Sequence, residues 1–166
     1  HVPYQQPDPF VSVIELSVEG SGVSVDSTLA VDPETGIKDL SVKFAVAESC
    51  SIYKSSWMEK FGEWKHVHCA GHLNQGGKLT WTVAVSKPGV YHLDIKARGK
   101  GRVVWKAETD EGRAIQNQQG VSDIFCDRQI GWISFEKAGT HTITVNQLEG
   151  GDVEVSSITL VPVNFE

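Results

Sequence analysis

The 166-residue chain predicts an all-β fold, a jelly-roll β-sandwich of two antiparallel sheets. Three observations predict it. Across Gly77–Ala97, Leu79, Trp81, Val83 and Val85 alternate with polar or small residues, and after Lys87-Pro88-Gly89 the alternation resumes at Tyr91, Leu93 and Ile95. A period of two is what a strand with one buried face requires, because successive side chains point to opposite sides. Second, Gly131–Val145 repeats the arrangement: Ile133 and Phe135, then Lys137-Ala138-Gly139, then Ile143 and Val145. Each stretch reads as a hairpin, and the pair reads as two equivalent edges of one body. Third, roughly ten short strands separated by turn signals every 8–12 residues suit a sandwich, with no βαβ alternation.

The chain divides into residues 1–10, a linker holding three of the six prolines, and one sandwich domain over 11–166. It begins at His1 with no signal-like segment, as a processed protein or a fragment would. Strands are expected at Val11–Val18, Val23–Asp26 and Thr28–Val31, before a turn at Asp32-Pro33-Glu34-Thr35-Gly36. Asp39–Ala47 alternates as one strand, with Leu40, Val42, Phe44 and Val46 inward. In Ser49–Cys69, Tyr53, Trp57 and Phe61 lie four apart and Trp64 three further on. That is helical spacing, so a short helix or an irregular aromatic loop is expected before a strand at Glu63–Cys69. Asn74-Gln75-Gly76-Gly77 turns into the first hairpin. Arg102–Glu108, Ala114–Asn117, Val121–Cys126 and Val153–Val161 supply further strands, and Pro162 suits an edge or a terminus.

Net charge is −6, and no basic cluster marks a nucleic-acid footprint. No apolar run approaches the ~20 residues of a membrane span. Three cysteines do not make a disulfide framework. Either Cys50 bridges Cys69, or all three are buried thiols. No paired carboxylates flank a recognisable cleft, and neither a Gly-x-Ser-x-Gly elbow nor a phosphate loop is present, so the chain is not expected to be an enzyme by itself.

The residues then carry a resemblance. Trp81-x-Val83-x-Val85 followed by Lys87-Pro88-Gly89-x-Tyr91-x-Leu93-x-Ile95 resembles the signature hairpin of galactose-binding-like carbohydrate-binding modules. Gly139-x-His141-x-Ile143-x-Val145 and the closing Val155–Val163 run resemble the end of those modules, most closely the C-terminal sandwich of bacterial secreted α-L-fucosidases. The opening Pro7–Leu16 segment resembles the strand that leaves the catalytic part of such enzymes. The resemblance covers about residues 64 to 163. It implies a secreted or periplasmic bacterial setting and a non-catalytic accessory role, with a glycan or a catalytic glycoside hydrolase domain of the same parent chain as partner. The other reading is a purely structural sandwich packed on the catalytic domain. Calcium-binding relatives use acidic residues near the first and last strands. Here Glu15, Glu19 and Asp152 match no ligand spacing, so structural calcium has no supporting motif and no cofactor is implied.

Sugar recognition needs an aromatic face for the apolar side of a pyranose, plus a few fixed polar groups. Trp132 leads, because it is out of phase with inward Ile133 and Phe135. Trp57 and Trp64 follow, although a helix-spaced stripe also suits a core. Trp81 and Trp105 belong to the core set. Asn117, Gln118, Gln119 and Asp123 form a polar stretch between strands that would meet hydroxyls or simply be solvated. His66 and His68 share a strand face and His72 would close a metal chelate; the other reading is polar strand residues.

Overall fold

The computed structural model describes residues 28–34, 36 and 38–163. The expected linker, the strands at Val11–Val18 and Val23–Asp26, and Glu15 and Glu19 lie outside the described residues. In chain order the strands are β1 (Leu29–Val31), β2 (Lys38–Ser41), β3 (Val46–Glu48), β4 (Ser51–Met58), β5 (Trp64–Gly71) and β6 (Lys78–Val85). They continue with β7 (Gly89–Gly99), β8 (Gly101–Thr109), β9 (Ala114–Val121), β10 (Cys126–Phe135), β11 (Gly139–Gly150) and β12 (Val153–Pro162). No α-helix occurs among the described residues.

These strands form a β-sandwich of two sheets. The first is ordered β1-β6-β11-β8-β9, with β3 also on β6; the second is β10-β7-β12-β5-β4, with β2 also on β12. All pairings are antiparallel except β1 with β6.

The two matching motifs are not hairpins. β6 lies in the first sheet and β7 in the second; β10 lies in the second and β11 in the first. Each Lys-x-Gly corner therefore carries the chain from one layer to the other. The two arches lie side by side, with Val83 opposite His141 and Tyr91 opposite Ile133. They are neighbours in both layers rather than opposite margins, β6 and β11 within the first sheet and β10 and β7 at one edge of the second. The period-two pattern is correct for both, but it reports which face is buried and not which strand is the neighbour. Between the arches, the Tyr91 and Phe135 rings meet edge-on at 6.0 Å, and His141 packs on Phe135 at 5.1 Å. The His141 ring is held by Asp110 Oδ1 at 3.2 Å and the Lys137 carbonyl at 3.0 Å.

The core is the inward set expected from the alternation. Trp81, Trp105, Leu79, Leu93, Ile95, Ile143, Ile158 and Leu160 are fully buried. Burying each such aliphatic or aromatic side chain contributes about 1.5–3 kcal/mol. Trp81 Nε1 donates to the Ser41 carbonyl at 2.9 Å, which ties the first sheet to the second.

Four local expectations are corrected. Asp39–Ala47 is not one strand. A single 3-10 turn at Val42–Phe44, capped by Ser41 Oγ accepting from Lys43 N, moves the chain from β2 in the second sheet to β3 in the first. Val42 stays buried while Phe44 is only half-buried and Val46 is exposed. Ser49–Cys69 contains no helix but the β4–β5 hairpin. A spacing of four is also a multiple of two, so Tyr53 and Trp57 share a strand face, and Phe61 falls in the turn. Val121–Cys126 is not a strand: residues 122–125 cross between sheets, and Asn117–Gln119 lie within β9 rather than in a loop. Cys50, Cys69 and Cys126 are all free thiols, so Cys50 does not bridge Cys69.

Gly150 sits at φ +116° at the end of β11, where a Cβ would lie 2.5 Å from the Arg102 carbonyl oxygen and 3.0 Å from Val103 Cα. Gly112, at φ +79°, has nothing within 4 Å. Gly150→Ala is expected to cost roughly 2 kcal/mol or more, and Gly112→Ala about 1 kcal/mol from the backbone alone. Denaturant titration of the two variants against wild type measures the difference.

Candidate functional site

One edge of β12 is shared by two strands. Along it, Ser157, Ile158, Thr159 and Leu160 pair with Ser41, Leu40, Asp39 and Lys38 of β2. β5 pairs at a single position, Ala70 opposite Val155. Continued in plane, β5 would run into the stretch that β2 occupies. Backbone donors along one strand edge serve one partner at a time. The β4–β5 hairpin therefore leaves the sheet and stands over its outer face, still paired to itself from Ser51–Gly71 to Met58–Trp64. Glu59–Gly62 closes it, with Gly62 N donating to the Glu59 carbonyl at 2.9 Å and Gly62 itself at φ +81°.

The space beneath is a groove of about 710 Å³. Its floor is the outward face of the second sheet: Lys96 and Arg98 of β7, Ser156 and Ser157 of β12, Asp39 and Ser41 of β2. One wall is the hairpin, with Trp57, Lys65 and His66; the opposite wall is Asp123, Ile124 and Phe125 of the 122–125 crossing. A smaller hollow of about 360 Å³ shares Arg98 and Asp123 and is lined also by Tyr53, Asp152 and Glu154.

Arg98 braces the three parts. Its Nε donates to Glu154, its Nη2 lies 3.3 Å from Ser55 Oγ on the hairpin, and its guanidinium stacks 4.7 Å from the Phe125 ring centre. Tyr53 OH donates to the other oxygen of Glu154. Gly71 leaves room for this, because a Cβ there would sit 3.1 Å from the Tyr53 ring. The Arg98 hydrogen bond, with that of Tyr53, holds the Glu154 carboxyl below its ordinary range against the opposing effect of burial. Burial first, then the hydrogen bond to Glu154, drives the Tyr53 phenol well above its ordinary value. Burial and the Glu154 charge push the Cys69 thiol up to about 11, so it stays protonated and unreactive at neutral pH.

The sequence-derived candidates separate. Trp57, 39% exposed, and Asp123 both line the groove. Trp64, 59% exposed, pairs with Met58 beside the hairpin turn and does not line it. Neither Trp57 nor Trp64 is core, contrary to the helix-spaced reading. Trp132, 50% exposed, is on the outward face of β10, edge-on to His92 at 4.9 Å and outside the groove lining. Asn117 turns to β10 and not to the groove. Its amide donates to the carbonyls of Gln129 and Ile130 at 3.2 and 3.0 Å, and Gln119 donates to Gln129 as well. These two side chains stitch β9 to β10 across the open side of the sandwich. Gln118 alternates to the outward face of the first sheet, opposite the groove.

His66 lines the groove, 2.7 Å from Ser56 Oγ, while His68 lies exposed opposite Lys54. His72 is at φ 64° and turns to Asp152, its backbone N–H 3.3 Å from Oδ1. The three histidines do not converge. Among the described residues no three His, Cys, Asp or Glu side chains are grouped to hold a metal. Sequence reasoning missed Lys96, Arg98, Tyr53, Glu154, Ser156 and Ser157. The alternation along β7 does expose Lys96 and Arg98, but nothing local signals the β12 bulge between Val155 and Ser157.

No family model matches the chain, and no curated protein matches it. Solved structures do. The chain is similar to a GH26-CBM35 β-(1,4)-mannanase from Podospora anserina, at TM-score 0.64 and 18% identity over 79% of this chain and 28% of that one. It is similar to the C-terminal CBM6 of LamC, a marine laminarinase from Zobellia galactanivorans, at TM-score 0.54 and 10% identity over 75% of this chain and 98% of that one. It is also similar to a tryptic core variant of Bacillus thuringiensis Cry1Da, at TM-score 0.62 and 15% identity over 83% of this chain and 25% of that one. The chain thus spans about a quarter of the mannanase and Cry1Da chains and nearly all of the LamC module. The shared property is the fold, a β-sandwich.

The Glu154 brace has a pH signature. A carboxyl depressed in the folded state adds stability above its unfolded value, here 4.5, and that stability is lost as pH falls through the lower folded value. Wild type is therefore expected to lose stability below about pH 4.5 more steeply than Glu154→Gln, read by thermal melts across pH 2.5–6.

Proposed function

We propose that the groove on the outer face of the second sheet binds a glycan, and that the chain is a non-catalytic accessory module of a secreted glycoside hydrolase. One observation carries this reading. Trp57 stands partly exposed on the wall of a groove whose floor presents fixed hydrogen-bonding groups from Arg98, Ser156 and Ser157. An aromatic plane takes the apolar face of a pyranose, and rigid polar groups take its hydroxyls. Asp123 on the opposite wall supplies an acceptor. Affinity for a glycan would hold an attached enzyme near its substrate by raising effective concentration. The resemblance to the C-terminal modules of bacterial α-L-fucosidases supports such a parent enzyme and an extracellular setting, and the mannanase and laminarinase neighbours agree with that class of parent.

A second reading is favoured by a different observation. Phe61, 89% exposed, Met58 and Trp64 form an apolar cluster at the end of the hairpin. Such a cluster suits packing against a catalytic domain of the same parent chain. In that case the sandwich would be structural and bind no small ligand.

Calorimetric titration with manno-, laminari- and fucosylated oligosaccharides separates the two. The glycan reading expects a dissociation constant between about 1 mM and about 1 μM, weakened roughly tenfold by Trp57→Ala. Absence of heat with every sugar would favour the packing reading. No turnover of aryl α-L-fucosides by this chain is expected; measured hydrolysis would refute the non-catalytic assignment.

A further inference from the structure

The groove does not account for Trp132, and the outer face of the second sheet suggests what it does. Four outward side chains follow one another along β7: His92, Asp94, Lys96 and Arg98. Arg98 and Lys96 are in the groove floor. His92 is opposite Trp132 on β10, and the two rings meet edge-on at 4.9 Å. The His92 ring is itself held, its Nδ1 hydrogen-bonded to the Gln129 side-chain amide. Trp132 is therefore a positioned platform and not a loose surface ring.

The path between the groove and this platform is paved with short polar groups. Asp94 lies opposite Thr159, and Thr159 Oγ1 is 3.5 Å from Asp39, which already lines the groove. Lys96 pairs with Asp127 at 3.8 Å. At about 3.3 Å per residue, His92 and Lys96 are roughly 13 Å apart along the strand, more than a single pyranose spans.

We infer that the binding surface continues from the groove along β7 to a second aromatic platform at Trp132, so that the ligand is a linear oligosaccharide lying along the sheet. This rests on the glycan reading and narrows it to internal segments of a chain, as opposed to a single sugar or a chain end. Trp57 holds one part of the chain and Trp132 another, with the β7 row meeting hydroxyls between them.

The test is a length series, from mono- to hexasaccharide of the manno- and laminari- types, titrated into the whole chain. Affinity is expected to rise with length to at least the tetrasaccharide. Trp132→Ala is expected to weaken hexasaccharide binding roughly fivefold and leave the disaccharide unchanged, whereas Trp57→Ala weakens both. Trp132→Phe is expected to retain most of the long-chain affinity, and an unchanged melting temperature in Trp132→Ala excludes a folding defect. If Trp57→Ala weakens binding while Trp132→Ala leaves the hexasaccharide unaffected, the site is a single platform and the extended track is overturned with the glycan reading intact. If no member of either series binds, both fail.

Discussion

The site depends on how backbone hydrogen bonds are shared along one edge of β12. That edge serves β2 over four residues and β5 at one position. A strand cannot pair twice at the same place, so the chain segment that loses the competition must satisfy its backbone elsewhere. The β4–β5 hairpin does so by pairing with itself, and in leaving the sheet it becomes a wall. Without β2 on that edge, β5 would lie flat against β12 and the outer face would be an open sheet with no groove.

The core takes in both strands, Leu40 of β2 and Ala70 of β5. The stability of the sandwich comes from inward side chains of both sheets, with Trp81 of β6 and Trp105 of β8 fully buried among them and the Trp81–Ser41 bond linking the layers. The outward face is then free to carry charge. Exposed ion pairs there, such as Lys96 with Asp127, are worth only about 0–1 kcal/mol each, small beside the burial of a core residue. Their effect is to hold side chains in place. Arg98 shows this best, since one guanidinium fixes Glu154, Ser55 and the Phe125 ring together.

How much of this could be read from the residues follows from what period and spacing encode. The buried set of β6, β7, β10 and β11 was readable, because alternation reports burial directly. Pairing was not: the same alternation suits a hairpin or an arch between sheets, and only the register shows that Val83 faces His141. Tyr53, Trp57 and Phe61 fit a helix and a strand equally, since four residues return to the same face in both. Of the candidate site residues, Trp57 and Asp123 reach the groove, and so does His66, without the other two histidines. Asn117 has an amide of the kind that meets hydroxyls, but the partner it finds is the pair of Gln129 and Ile130 carbonyls on β10, which no local pattern signals. Glu154 and Arg98 are far apart in sequence and meet only because β7 and β12 are neighbours.

The hairpin's attachment has a dynamic consequence. The outer half of the hairpin, beyond its one backbone pair with β12 and its Arg98 and Tyr53 brace on Glu154, is mostly exposed, so it is where local opening of the domain costs least, whereas its base at Cys69 and Ala70 is buried in the core. Amide protons of its outer residues would then exchange with solvent at rates set by this local opening and not by global unfolding. Rewriting the exposed outer half of the hairpin would therefore reshape the wall while the buried residues that hold the two layers together stay in place.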